Sequence, residues 1–100
     1  MMSITITRHD AGQDGEYHAA VKGSSAIGRL TYVRRKGSAG DVLAAEHTLV
    51  PAEIGGRGVA GKLVEALIAD ARAEHFRIDP QCSYVEAAFG KHPEWADLRA

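Results

Sequence analysis

The sequence has little of several residue types, and each shortage excludes a class of protein. It contains one cysteine, Cys82, in 100 residues, so no disulfide can form within the chain and a reducing, cytoplasmic compartment is the simplest expectation. No apolar run approaches the ~20 residues that span a bilayer, and residues 1–5 lack the basic and apolar regions of a signal peptide. We therefore expect no membrane partner.

The sequence also lacks an excess of charge of either sign. Twelve Lys and Arg nearly balance thirteen Asp and Glu, for a formal net charge of −1, which argues against a dedicated nucleic-acid binder. The 45% hydrophobic and 25% charged fractions are ordinary and exclude collagen-like, coiled-coil and disordered chains. We expect residues 1–100 to form a single domain with one core.

The first half of the sequence reads as strands. Apolar residues alternate with polar ones, or cluster between turn-rich segments, so that strands are predicted over residues 3–7, 16–21, 26–34 and 42–50. The segments 10–15, 22–25 and 36–41 are rich in turn-forming residues. Pro51 would end the fourth strand because it has no N–H to donate.

In the second half of the sequence, apolar residues recur at helical spacing instead of the spacing of strands. Apolar residues at helical spacing from Val59 to Ala71 predict an amphipathic helix over residues 58–75. A short strand over 76–78 ends at Asp79-Pro80, and Ser83-x-x-Glu86 has the form of a capping box that opens a short helix. A last helical turn is predicted around Trp95. The fold class is therefore α+β: a mostly antiparallel sheet covered on one face by the long helix, with a short C-terminal helix.

Between the fourth strand and the long helix lies a glycine-rich loop. Such a loop presents backbone N–H groups at the positive end of a helix, which suits a phosphate group, although a flexible connection also needs glycines. Gly56-x-Gly58-x-x-Gly61 matches the dinucleotide fingerprint, but that fold needs repeated parallel βαβ units. Gly56 to Lys62 matches most of a P-loop, yet Leu63 stands where Ser or Thr should hold magnesium.

A third pattern fits this loop in its context. Gly58 and Ala60 match the last two fixed positions of Gln/Arg-x-x-Gly-x-Gly/Ala, the acetyl-coenzyme A signature of the GNAT superfamily of N-acetyltransferases, and Arg57 is typical of that loop. Gly55 stands at the first position, where the family usually has Arg or Gln. Residues 47–51, 79–85 and 92–94 together resemble the small YjdJ-type branch of GNAT-like proteins.

The resemblance implies acetyl-CoA as co-substrate and no metal. Backbone groups of the fourth strand would hold the pantetheine arm and the acetyl carbonyl, here at Thr48, Leu49 and Val50. The pyrophosphate would lie on the loop and the start of the helix, which comprise Gly55, Gly56, Arg57, Gly58, Val59, Ala60, Gly61 and Lys62.

Four side chains are candidates for the chemistry. Cys82 lies at a helix start, which favours the thiolate; it would accept the acetyl group or line the pocket, and a buried free cysteine is the structural alternative. Tyr84 would protonate the departing thiolate, or simply pack. His47 or Glu46 would take the amine proton, and a regular strand would point these two to opposite faces.

The leading interpretation is a small GNAT-like enzyme that transfers acetyl from acetyl-CoA to an amine of a small molecule or a protein. The alternative is a non-catalytic acyl-CoA-binding or sensing module, favoured by Gly55 and by the shortness of the chain relative to a usual GNAT domain. An exposed edge strand makes a homodimer an open possibility. The five scattered histidines show no zinc-ligand spacing, and the basic run 34–36 is interpreted as a solvated hairpin tip.

Overall fold

The computed structural model describes residues 3–100, and its elements follow the predicted order. Four strands come first: β1 (Ile4–Ala11), β2 (Asp14–Val21), β3 (Ile27–Gly37) and β4 (Gly40–Leu49). Helix α1 (Val59–Glu74), strand β5 (Arg77–Pro80) and helix α2 (Ser83–Lys91) follow, with short 3₁₀ turns at Ala52–Ile54 and Pro93–Leu98. The predicted α+β class is confirmed.

The strands form one sheet in sequence order, from β1 at one edge to β5. The neighbours from β1 to β4 pair antiparallel, whereas β5 pairs parallel with β4 over Val42 to Ala45. The parallel pair follows from the connection, because α1 carries the chain back to the starting end of β4 before β5 begins. Beyond β5, Arg99 bridges to Ile78, and Ala100 N–H donates to the Ile78 carbonyl over 2.8 Å.

Helix α1 covers one face of the sheet, which we call the helix face. Its apolar stripe is buried against inward-facing residues of β2 and β3, such as Tyr17 and Leu30, as the helical spacing predicts. The opposite face, called the open face, carries the alternate residues of the strands, such as Thr5, Thr7 and His9 of β1, which are exposed. One polar and one apolar face is the usual arrangement of an antiparallel sheet.

Several predicted boundaries are wrong by a few residues. The two hairpins are tighter than the turn-rich segments suggest, since Ala11 pairs with Asp14 and Gly37 with Gly40. The basic run 34–36 therefore belongs to β3 rather than to the hairpin tip. Asp79 and Pro80, predicted to end the fifth strand, are its last two residues.

The predicted capping box is also wrong, although the helix it announces is present. Cys82 is the N-cap of α2, Ser83 is its first helical residue, and the cap makes no side-chain hydrogen bond. The Glu86 carboxylate is bound by the Arg99 guanidinium from the C-terminal segment instead of reaching back to the cap. An ion pair with a distant residue, Arg99, therefore replaces the local contact that a capping box would give Glu86.

A β-bulge interrupts β4 at Glu46. Thr31 pairs with His47 and Tyr32 pairs with Ala45, so Glu46 is the extra residue. Thr48 consequently lies on the same face as Ala45, three residues away, because their partners Leu30 and Tyr32 are two apart. The bulge shifts the alternation of the strand just before it separates from β5.

Candidate functional site

The site begins where β4 and β5 part. Their ladder ends at the Ala45–Pro80 pair, and the Gln81 and Cys82 N–H groups both donate to the Ala45 carbonyl, over 3.0 and 2.9 Å. From Glu46 onward β4 keeps its partner β3 but has left β5. The parting of two strands leaves backbone groups of β4 available for a ligand, as a sheet edge does.

Cys82 and Thr48 meet across this gap, with Sγ 3.4 Å from the threonine Oγ1. Burial alone would raise the pKa of the Cys82 thiol. Hydrogen bonds from the Thr48 hydroxyl and from the N–H groups of Val85, Tyr84 and Thr48 outweigh it, so the pKa lies below its ordinary value. The thiol is half-buried, and this environment favours a reactive thiolate.

The glycine-rich loop follows a 3₁₀ turn and opens α1. Gly56 and Gly58 have positive φ values of 71° and 77°, and a Cβ on either would meet nothing within 4 Å. Glycine is therefore required there for its backbone conformation rather than for lack of room. Gly58 caps the helix, whose first internal bond runs from Lys62 N–H to the Gly58 carbonyl over 3.1 Å.

Three N–H groups of this turn, those of Val59, Ala60 and Gly61, precede that first bond and have no partner within the helix. The first turn also holds no acidic side chain. The loop thus offers open space, aligned donors and a positive dipole end, which fit a phosphate. Because the Val59 side chain is buried in the core, this residue can contribute only its backbone.

Tyr84 lies between the two helices rather than over the sheet. It is 43% exposed, and its hydroxyl lies 3.7 Å from the position of a Cβ on Gly61. It lines a groove of about 130 Å³ between α1 and α2, whose other walls include Val64, Ala88 and Trp95. Gly61, in the first turn of α1, also lines the groove, so the groove adjoins the start of that helix.

His47 and Glu46 lie on the other side of the sheet from Thr48. His47 is exposed opposite Thr31, and Glu46 lines an open-face groove together with Thr31. A regular strand would have separated the two side chains, and the bulge removes that separation. The structure therefore brings Cys82 and Thr48 together on the helix face and Glu46 and His47 together on the open face.

The remaining candidates are spread along the same region. Leu49 is 58% exposed on the open face, and Val50 is half-buried beside it. Lys62 is exposed and forms an ion pair with Glu65, with 3.5 Å between Nζ and Oε1.

Sequence reasoning missed the open-face groove. Its residues come from four strands, and their polar character looks like ordinary solvent exposure along each strand. The signal that could have indicated it is the alternation of the strands, which puts His9, Glu16, Thr31 and His47 on the same face.

The fold and the site together define a small α+β domain with a parted β4–β5 pair, a glycine-rich loop and the helix that this loop opens. A family model described as GCN5-related N-acetyl-transferase matches residues 16–98. The chain belongs to this family. No curated protein matches the chain significantly.

Within residues 3–100, no three His, Cys, Asp or Glu side chains are placed to hold a metal ion. None of the helices in that range is both long and apolar enough to cross a membrane.

Proposed function

We propose that this protein transfers the acetyl group of acetyl-CoA to an amine. The observation that carries the proposal is the parted β4–β5 pair next to a glycine-rich helix start, in a chain of the GCN5-related family. The YjdJ-type assignment, the single domain over residues 1–100 and the cytoplasmic location remain predictions from the sequence. They rest on the matching segments and on the single cysteine.

The coenzyme would enter from the helix face. Its pyrophosphate would accept hydrogen bonds from N–H groups of the loop between Gly55 and Lys62, with Arg57 and Lys62 adding positive charge. The pantetheine arm would pass Tyr84, beside the first turn of α1, on its way to the gap between β4 and β5. Backbone groups of Thr48, Leu49 and Val50 would hold its amides and the acetyl carbonyl.

The amine would approach from the open face. Its nitrogen lone pair attacks the thioester carbonyl carbon, the C–S bond breaks, and the sulphur leaves as a thiolate that must gain a proton. The amine must lose a proton, and the Glu46 carboxylate or the His47 imidazole would accept it, directly or through water. The two faces of the sheet would then hold the two reactants on either side of the gap.

The identity of the base can be tested with Glu46→Gln and His47→Ala. The variant that removes the base should lose the acidic limb of the dependence of kcat/KM on pH, where protonation of the base slows the reaction, and the other variant should keep it. If both variants keep the limb, the base lies elsewhere.

Cys82 has two possible roles at the gap. Its lowered pKa and its contact with Thr48 support attack on the thioester, which would release coenzyme A thiolate and leave an acetyl-cysteine thioester for the amine. Intact mass after incubation with acetyl-CoA should then show one added acetyl group that Cys82→Ala lacks. Full activity in Cys82→Ala would restrict Cys82 to lining the pocket.

Tyr84 has a position that supports coenzyme contact more directly than proton donation. Its hydroxyl lies beside the first turn of α1. Loss of coenzyme affinity in Tyr84→Phe would assign it to binding. Unchanged affinity with a lower kcat would assign it to protonation of the thiolate.

The first experiment is native mass spectrometry with and without acetyl-CoA, followed by turnover with a panel of amines. A coenzyme adduct together with acetylated product supports the proposal. An adduct without turnover of any amine would support the alternative, a coenzyme-binding or sensing module. Absence of an adduct at high coenzyme concentration would overturn both.

A further inference from the structure

The open-face groove has a composition that the transfer chemistry does not require. It has a volume of about 450 Å³ and extends from β1 to the bulge on β4. Through it runs a row of directly paired residues, one on each strand: His9 with Glu16, Glu16 with Thr31, and Thr31 with His47. The row ends beside Glu46, where β4 leaves β5. The groove therefore connects the distant strand β1 with the gap.

The charge of the groove favours a cation. Its walls contain three carboxylates, those of Asp14, Glu16 and Glu46, and no Lys or Arg is among the lining residues. The positive groups that face it are those around Glu16: Arg29 approaches at 3.9 Å from the rim, and His18 Nε2 lies 2.7 Å from Glu16 Oε1. The His9 ring lies against the His18 ring, with 4.2 Å between centroids and a tilt of 34°, and His9 also hydrogen-bonds Thr7.

The rest of the lining selects the kind of cation. Val33 on β3 lies between the strands that carry Glu16 and Glu46, and Ala11 also lines the groove, so part of the wall suits an aliphatic chain. The strand backbones beneath the groove already pair with one another, so they offer an extended peptide few partners for its own N–H and C=O groups. A linear amine has no such groups between its nitrogens. A small linear diamine therefore fits better than a lysine-bearing peptide.

We propose that the open-face groove binds a linear α,ω-diamine as the acetyl acceptor, an inference that rests on the proposed function. One nitrogen lies at Glu46 beside the gap, and the other is held as an ammonium ion by Glu16. Strands β2 and β4 are two strand spacings apart, about 9–10 Å, and the aliphatic chain spans that distance. Thr31, midway along the row, has a buried hydroxyl oxygen without a partner among the described residues.

The reaction balances with the groups already named. The nitrogen at Glu46, bound as an ammonium ion, gives one proton to the carboxylate, and its lone pair then forms the C–N bond to the acetyl carbon. As the thioester C–S bond breaks, the second proton that the nitrogen loses passes to the departing thiolate. The nitrogen at Glu16 stays protonated and bound throughout. Acetylation removes the positive charge at one end only, so the product keeps one ammonium group.

The test compares diamines from 1,3-diaminopropane to 1,8-diaminooctane with primary monoamines of equal length. The ratio of kcat/KM for diamine over monoamine should pass through a maximum of at least tenfold at one chain length. Glu16→Gln, which keeps a hydrogen-bond partner for His18, should reduce that ratio towards one. Asp97→Asn, whose carboxylate pairs with Arg72 on the helix side of the molecule, is the matched charge control and should keep the ratio. A ratio near one at every length in the wild-type protein overturns the proposal.

A binding measurement separates this proposal from the proposed function. Addition of 1,5-diaminopentane to the protein should shift the backbone NMR signals of Glu16, Thr31 and Glu46, and pentylamine should do so more weakly. Diamine binding in the groove without any acetyl transfer would refute the proposed acetyltransferase activity and support the groove as a site for cations. Equal transfer to monoamines and diamines, without shifts of the NMR signals in the groove, would refute diamine binding in the groove and support the acetyltransferase activity.

Discussion

The two faces of the sheet use their polar residues differently. On the helix face the polar groups are bound into the fold: Tyr17 donates to Asp70 over 2.7 Å, and the Arg8 guanidinium reaches Asp70 and Glu74 at 3.1 and 2.6 Å. On the open face the polar groups stand around a groove, and the Thr31 hydroxyl has no partner in the described chain. The helix face thus holds the core and a polar network that joins β1 and β2 to α1, whereas the open face carries a groove lined by polar groups.

The pKa shifts follow the same division. Burial and the hydrogen bond to Asp70 raise the pKa of Tyr17 far above its ordinary value, so its hydroxyl stays a donor at any physiological pH. Arg8 also has a raised pKa: burial lowers it, but hydrogen bonding to Glu74 and the nearby Tyr17 and Asp10 outweigh this. These groups keep one charge state and are structural. Cys82, at the gap, is shifted in the direction that creates a nucleophile.

The largest expected effect tests whether stability really lies on the helix face. Leu67 on α1 is fully buried, and Leu67→Ala should lower the free energy of unfolding by about 2–5 kcal/mol because it leaves a cavity. Thr5→Ala on the open face should change it by less than about 0.5 kcal/mol. Urea denaturation measures both. Similar losses for the two variants would contradict the comparison.

The next effect concerns the loop at the edge of the helix face. Gly58→Val should weaken acetyl-CoA binding by roughly 100-fold, about 2.7 kcal/mol, because a β-branched residue cannot easily adopt the positive φ that aims the N–H groups. Calorimetry measures the affinity. Gly90→Ala in α2, where a Cβ meets nothing within 4 Å, should leave the affinity unchanged. Retained affinity in Gly58→Val would show that the phosphates of the coenzyme do not bind at this loop.

A smaller effect tests the polar network beneath α1. Tyr17→Phe removes the donor to Asp70 and should cost about 1–2 kcal/mol of unfolding free energy. Tyr84→Phe removes a half-exposed hydroxyl between the helices and should cost much less. Chemical denaturation of the two variants provides a matched pair. An equal cost would mean that the network adds nothing to the stability of the fold.

The smallest effect is a change in the pKa of Cys82. Thr48→Val removes the hydroxyl that stabilises the thiolate, so the pKa should rise and alkylation by iodoacetamide should need a higher pH. The shift should be partial, because the N–H groups of Thr48, Tyr84 and Val85 remain. Thr5→Val is the distant control and should leave the alkylation profile unchanged. A profile unaltered by Thr48→Val would show that the backbone groups alone set the pKa.

Much of the architecture could be predicted from local patterns. The apolar stripe from Val59 to Ala71 predicted α1, and the glycine-rich loop before it indicated a helix that begins at Gly58. The capping box failed because Arg99, thirteen residues away, takes the Glu86 carboxylate. Ser83 was therefore misassigned as the cap, a position that belongs to Cys82. Long-range ion pairs of this kind leave no periodic trace in a sequence.

The features of the candidate site also fall into two groups, those that local sequence patterns predict and those that only the fold shows. The sequence by itself determined the four strands, the helix, the glycine-rich loop before it and the presence of a lone thiol near a helix start, since these depend on residue type and spacing over a few positions. Only the tertiary structure decided that β4 carries a bulge at Glu46, that it parts from β5 after Ala45, and that Cys82 and Glu46 lie on opposite sides of the sheet. The register between strands is set by how their side chains pack together, and no single strand contains that information.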